Sequence, residues 1–362
     1  MDCARGLLAI LVAVAVTLEA DSLPGLDNIS NLGFVATNWA LYFVLLITAL
    51  LFGAAEVLRD NSAQTLLPSV VEDSELERAN GRLWSVEFMT NSLVGPPLGS
   101  LLLGIAIFIP FYFDAATFFI AAALIATLMP SLPPKRVEPP KVSSNFRSEI
   151  KAGLSWLWSH ELLRPIAIIL GSLNAIGALS TAVFILIAQE VLKTSVFVFA
   201  ILGTSAALGG VLGGLLAPRI SKRLGSGPSL YLTLIAAPII SLAIGFTSSW
   251  QLPWFLTAVS TIFAILWNVI TVSLRQRIIP SHLLGRVNSV YRFFAWGSIP
   301  IGTILGGALV NLLDGPFGRE LALRSPYFLA AGLGVILFIF AAPKLTTDKI
   351  ERAQREGEVT NL

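Results

Sequence analysis

The sequence predicts an all-α polytopic membrane protein with about ten transmembrane helices in two bundles. Three observations predict it: composition, the spacing of the apolar runs, and the placement of Lys and Arg. Of the 362 residues 55% are apolar, only 46 are Asp, Glu, Lys or Arg, and the mean hydropathy is +0.79. A charged share of 13% is too small to cover a water-exposed surface, being about half the usual value. One crossing uses about 20 apolar residues, so the apolar content holds roughly ten spans. This excludes a soluble enzyme, a disordered chain and a nucleic-acid binder, and a net charge of +2 adds no case for a polyanionic partner.

The apolar runs cover 5–20, 37–57, 83–108, 111–130, 164–188, 196–217, 229–247, 252–272, 288–312 and 326–343. Each is wholly or nearly long enough to cross as a helix, which satisfies its own backbone groups in lipid. The first is the shortest. The junctions at Ile109-Pro110 and Ser248–Trp250 are tight and require helical hairpins. The main internal break is 132–160, where Pro139 and Pro140 favour an extended linker. Phe146, Ile150, Leu154, Leu157 and Trp158 then recur at helical spacing among Arg147, Glu149 and Lys151, the pattern of an amphipathic helix on the membrane surface. The linker separates a four-span bundle over 1–131 from a six-span bundle over 161–345, and 346–362 is a tail.

With Met1 in the cytoplasm, 19 Lys and Arg fall in inside segments. Three, Lys193, Arg319 and Arg324, fall outside, while Arg164 and Arg292 lie within spans. This asymmetry places both termini in the cytoplasm of a cell whose inner or plasma membrane holds the chain. A rival reading takes Arg5, the run Leu7–Val16 and Glu19-Ala20 as a signal peptide. Its removal would leave nine spans and disturb the charge asymmetry.

A repeat crosses the linker. One copy reads Gln64-x-x-x-Pro68, Arg78-x-Asn80, Gly95-x-x-x-Gly99; the other reads Gln276-x-x-x-Pro280, Arg286-x-Asn288, Gly302-x-x-x-Gly306. Pro68 and Pro280 are expected to break the chain after one helix, and Asn80 and Asn288 to cap the next. Gly95, Gly99, Gly302 and Gly306 are expected to let helices pack closely, where apolar contact has no advantage over lipid. Both copies run in the same direction, which describes parallel repeats rocking about a central cavity.

These blocks, with Gly214-x-x-x-Pro218-Arg219-x-x-Lys222-Arg223, resemble the major facilitator superfamily, in the branch of the enterobactin exporter and related drug-efflux proteins. The last stretch is similar to that superfamily's GxxxDRxGRR loop motif. Arg219, Lys222 and Arg223 match it, while Pro218 replaces the Asp and Ser221 the Gly. The resemblance covers residues 4–345 and implies a major-facilitator-like two-bundle fold with a gating role for Arg219, Lys222 and Arg223. The family pattern has twelve spans, and Met1 falls where its third begins. The resemblance therefore implies that the first two spans, with part of the cavity wall, are absent from this sequence.

Charged groups inside spans are costly and mark candidate sites. Glu87 shares a helical face with Trp84, Thr90 and Asn91, a stripe suited to proton movement. Pairing with a basic loop residue is the competing role for Glu87. Arg292, with Trp296 one turn on, could hold an anionic substrate or snorkel to the surface. Asn174, Ser180, Thr181, Asn268 and Thr271 offer hydrogen bonds to a substrate or between helices. Trp267 and Trp296 could stack on an amphipathic ligand. Asp114, and the i,i+3 pair Glu56 and Arg59, are expected to be structural.

Cys3 is the only cysteine, and His160 and His282 are the only histidines. No disulfide framework, metal centre or cofactor is expected, and no nucleotide-binding or hydrolase motif occurs. The expected function is proton-coupled export of a small amphipathic molecule, drug-like or siderophore-like, by a monomer working as an antiporter. Export and substrate class come from the resemblance. The alternatives are a truncated, non-transporting membrane protein, a partner-binding scaffold, and a polytopic membrane enzyme. The last would need clustered acid, base or metal groups that these scattered carboxylates do not supply.

Overall fold

The computed structural model describes residues 1–19, 39–128 and 146–361. Every regular element among them is helical. Nine of these helical segments are long and apolar enough to cross a membrane, and they coincide with nine of the ten apolar runs. The tenth run is α1 (Asp2–Leu18), with 17 residues. The extended linker expected over 132–140 lies outside the described residues.

The chain divides into two compact units, Met1–Val70 with Val94–Arg136, and Val71–Leu93 with Val137–Leu362. The first holds α1, α2 (Trp39–Val70), α4 (Gly95–Ile105) and α5 (Ile109–Leu128). Here α1 presents small residues: Gly6, Ala9 and Ala13 are buried, and a Cβ on Gly6 would lie 2.9 Å from the Phe119 ring. Pro68, expected to break the chain, lies inside the last turn of α2. The proline forgoes its own N–H bond to the carbonyl one turn back, and its fixed φ is that of a helix. Its counterpart Pro280 does follow a helix end, two residues after the last residue of α11 (Gln251–Ile278).

The second unit holds α3 (Leu76–Phe88), α6 (Phe146–Ser159), α7 (Leu163–Thr181), the single turn α8 (Phe184–Leu186), α9 (Val196–Leu224), α10 (Ser226–Gly245) and α11. It continues with α12 (Leu284–Gly297), α13 (Ile299–Phe317), α14 (Arg319–Ala341) and α15 (Thr347–Asn361). Segment 71–93, which a division at the linker assigns to the first bundle, thus packs with the second unit. The core of that unit gathers Leu157, Leu163, Ile166, Leu230, Leu266, Trp267, Ile270 and Tyr291, all fully buried or nearly so.

Overlapping glycine pairs in α9 let two helices approach it. Gly209 and Gly213 face α11: a Cβ on either would meet the backbone at Ala258 or Ile262. Gly210 and Gly214 face α3, where a Cβ would strike the Phe88 ring, the Gly81 carbonyl and Ser85 Oγ. Ser85 Oγ also donates to the Val211 carbonyl at 2.9 Å. Gly302 and Gly306 of α13 lie against the Ala175 and Leu179 carbonyls of α7. A Cβ on Gly99 would meet nothing within 4 Å, so the first GxxxG copy shows no matching backbone approach there.

Both spans that carry the repeat are interrupted midway. A π-helical stretch, Met89–Val94, separates α3 from α4, because Pro96 and Pro97 offer no N–H to the carbonyls one turn back. The run predicted as one helix over 288–312 likewise divides into α12 and α13 around Ser298, with proline in the first turn of α13.

The amphipathic segment after the linker is helical, as α6. Leu157 is fully buried, while Ile150, Leu154 and Trp158 stay exposed, as a helix lying on lipid requires. Between α6 and α7, His160 Nδ1 accepts from the Leu162 and Leu163 N–H groups, both at 3.2 Å. Burial holds its imidazole pKa below the ordinary value, against the opposing fields of Glu356 and Glu161, and the acceptor role also requires the neutral ring. The expected tail forms α15, which buries Ile350 and Ala353 and brings Gly357 against the Arg277 carbonyl.

Candidate functional site

Three groups from the candidate list, Asn174, Arg292 and Trp296, have contacts near the break between α12 and α13. Asn174 on α7 donates Nδ2 to the Ala295 carbonyl at 2.7 Å, and Ser298 Oγ donates to the same oxygen at 2.9 Å. Side chains thus serve a carbonyl at the point where the ladder is disturbed. One turn earlier, the Arg292 guanidinium lies 5.3 Å from the Trp296 ring centroid, within cation–π range. Trp296 is 60% exposed, leaving much of its indole available for a further contact.

The other candidates separate. Glu87 and Asn91 are exposed, with Glu87 in α3 and Asn91 in the π stretch. The wider π turn disturbs the i,i+4 alignment that a continuous α-helix would give them. Asn268 is partly buried and donates to Ala264 of its own helix at 2.9 Å. Ser180 reaches the Pro326 carbonyl at 3.5 Å. Trp267 is 1% exposed, so it is a core residue and not the stacking surface its type allowed.

A second polar group lies where α3, α11 and α12 meet. Asn80 is the fifth residue of α3 and Asn288 the fifth of α12, so neither caps its helix as expected. Asn80 Nδ2 lies 3.0 Å from Ser273 Oγ and 2.7 Å from Gln276 Oε1. Asn288 Oδ1 accepts from Arg275 at 2.8 Å, and the Arg275 guanidinium lies 3.8 Å from the Tyr291 ring centroid. Both repeat asparagines therefore grip the end of α11, Asn80 through the repeat's own Gln276. Replacing Asn80 with leucine removes the Nδ2 hydrogen bonds to Gln276 Oε1 and Ser273 Oγ in a buried setting. The melting midpoint should then fall by several degrees, since each buried hydrogen bond is worth about 0.5–1.5 kcal/mol; an unchanged midpoint would remove this role.

The stretch read as a gating loop forms the last turns of α9. Arg219, Lys222 and Arg223 are exposed there, and Arg219 donates to the Leu215 carbonyl at 2.9 Å. The ends of α3, α9, α10, α11 and α15 enclose a cleft of about 830 Å³ beside them.

The family model of the Major Facilitator Superfamily matches residues 28–299. The chain belongs to the Major Facilitator Superfamily. As a facilitator it is a multi-pass membrane protein of a transporter family. Its fold is similar to a bacterial homologue of the iron transporter ferroportin in its outward-facing state. That likeness has 18% identity and a TM-score of 0.69, over 94% of this chain and 82% of the other. The same homologue with soaked iron gives 17% identity, a TM-score of 0.64, and coverage of 93% and 81%. Comparison with curated proteins yields no match.

One charged cluster in this facilitator escaped sequence reasoning. Arg5, one of the cations counted on the inside, lies inside α1 and is only 8% exposed. It pairs with Asp2 at 3.3 Å and with Glu56, and its guanidinium lies 4.1 Å from the Phe118 and 5.2 Å from the Phe52 ring centroids. Arg59, the expected partner of Glu56, pairs with Asp60. The missed signal was Arg5 three residues after Asp2 at the head of an apolar run.

Proposed function

We propose that this facilitator is a secondary active exporter that moves a small amphipathic molecule by alternating access, coupled to protons. The observation that carries this reading is the mid-span break between α12 and α13, with the Arg292–Trp296 pair just before it and Asn174 donating to the Ala295 carbonyl. Interrupted helices with polar groups at the break are how secondary transporters build sites within the bilayer. A cation on an indole suits a ligand with an anionic or hydroxylated end and an aromatic body, as in the siderophore and drug classes of the resembling branch. Glu87, within α3 and shortly before the other break, is the proposed proton carrier. The functional halves divide at 132–160, the protein acts as a monomer, and both termini face the cytoplasm of the inner or plasma membrane.

Proteoliposomes test coupling directly. With a lipophilic cationic dye and a catecholate siderophore as probes, an imposed pH gradient should drive transport by the wild-type chain. Glu87→Gln should slow that transport about tenfold or more, the scale of losing a proton-transfer group, while exchange without a gradient continues. Unaltered gradient-driven transport in Glu87→Gln would remove the proton role. The scaffold alternative predicts no flux of any probe. The fold likeness to the ferroportin homologue favours a second reading, transport of a divalent metal cation. Among the described residues no three His, Cys, Asp or Glu side chains gather as a metal site. Iron(II) flux in the same vesicles, without flux of the organic probes, would select the second reading.

A further inference from the structure

We propose that the cleft at the basic end of the second unit binds a phosphate-bearing anion. Five cations line it: Arg78 and Arg82 from α3, Arg219 and Lys222 from α9, and Arg277 from α11. The lining carboxylates are already engaged. Glu75 pairs with Arg78 at 3.3 Å, Glu77 with Arg277 at 3.9 Å, and Glu351 with Arg355 of its own helix at 4.0 Å. Arg82, Arg219 and Lys222 remain, exposed and with no carboxylate within 4.0 Å among the described residues. Like charges lining one cleft repel, and an anion between them converts that repulsion into attraction.

The chemistry favours phosphate. Guanidinium groups match its oxygens in pairs, and a lysine adds a point charge. The start of α10 also lines the cleft, with Gly225, Ser226 and Gly227, and no side chain caps the helix. The Ser226 and Gly227 N–H groups, Pro228 having none, are the donors this helix start can add to a site that the basic side chains define. A volume of about 830 Å³ accommodates a headgroup or a small phosphate ester. The cleft lies where spans end, so an anionic lipid headgroup and a soluble phosphate both present the recognised group there. Binding here is independent of the proposed export, because it is measured on the purified protein without flux.

The test uses the full chain in neutral detergent with two probes. One is inorganic pyrophosphate; the other is dioleoylphosphatidylglycerol in mixed micelles, compared with the same micelles holding dioleoylphosphatidylcholine. At least one anionic probe should bind, more weakly as salt rises. The double variant Arg82→Gln, Lys222→Gln should bind it at least about tenfold more weakly, two charge-assisted contacts being lost. Arg223→Gln, whose side chain is not part of the lining, should match the wild type. Pyrophosphate binding lost in the double variant assigns a soluble ligand, and phosphatidylglycerol binding alone assigns a lipid. If the double variant does not fold, Lys222→Gln alone should show a loss of a few-fold. No binding of either anionic probe, or equal binding by Lys222→Gln and Arg223→Gln, overturns the proposal.

Discussion

Gly214→Leu should lower the melting midpoint of the purified protein by on the order of 10 °C, whereas Gly99→Leu should change it little. Both glycines lie in apolar helices and look alike by type. Their surroundings differ. A Cβ on Gly214 would collide with the Gly81 carbonyl and Ser85 Oγ, while one on Gly99 has open space around it. A leucine at 214 must push α3 away from α9, which breaks the Ser85–Val211 hydrogen bond and loosens the contact of Phe88 with Gly210. Overpacking of this kind costs about 1–3 kcal/mol, and more where both contacting groups are backbone. Equal midpoints for the two variants would show that the α3–α9 crossing does not hold the second unit together.

Arg5→Ala should destabilise the first unit by about 3 kcal/mol, the low end of the cost of leaving a buried charge unpaired, because Asp2 is buried while the Glu56 side chain is 41% exposed. Asp2 is 8% exposed and cannot be rehydrated without moving α1. The cluster also loses the guanidinium that lies on Phe118 and Phe52. Arg5→Met combined with Asp2→Asn and Glu56→Met should recover much of the loss, since the whole charged cluster is then neutral and no carboxylate is left without its counter-charge. Thermal unfolding of the single and triple variants in one detergent measures the coupling. Additive effects would mean that Arg5 and the two carboxylates do not depend on each other.

Much of the fold was legible because apolar runs and turn residues are local properties. The ten runs reappear as helices, and the segment with Leu157 on one face becomes α6 with Leu157 buried. Fine position was harder, because it depends on partners distant in sequence. Asn80 is an ordinary capping residue by type, yet its partners Ser273 and Gln276 lie on α11. Glu56 has a cation at the right helical spacing in Arg59, yet pairs with Arg5. The breaks at Pro96 and Ser298 had a local signal in their prolines, which the length of the apolar runs outweighed. Among the candidate site residues, Arg292 and Trp296 are neighbours by helical spacing, and the link to Asn174 required the tertiary structure.

The union of α3 with the second unit also sets a schedule for synthesis. Gly81 rests against Gly214, about 130 residues further along the chain, so α3 leaves the ribosome long before its partner exists. At about 5–20 residues per second the interval is roughly 7 to 26 s. During that time Asn80 and the glycine face of α3 have neither α9 nor α11 to rest on, and the nascent helix must be held by the insertion machinery or by lipid. Slower translation between these two points lengthens the wait of a helix whose polar side chains are designed for company.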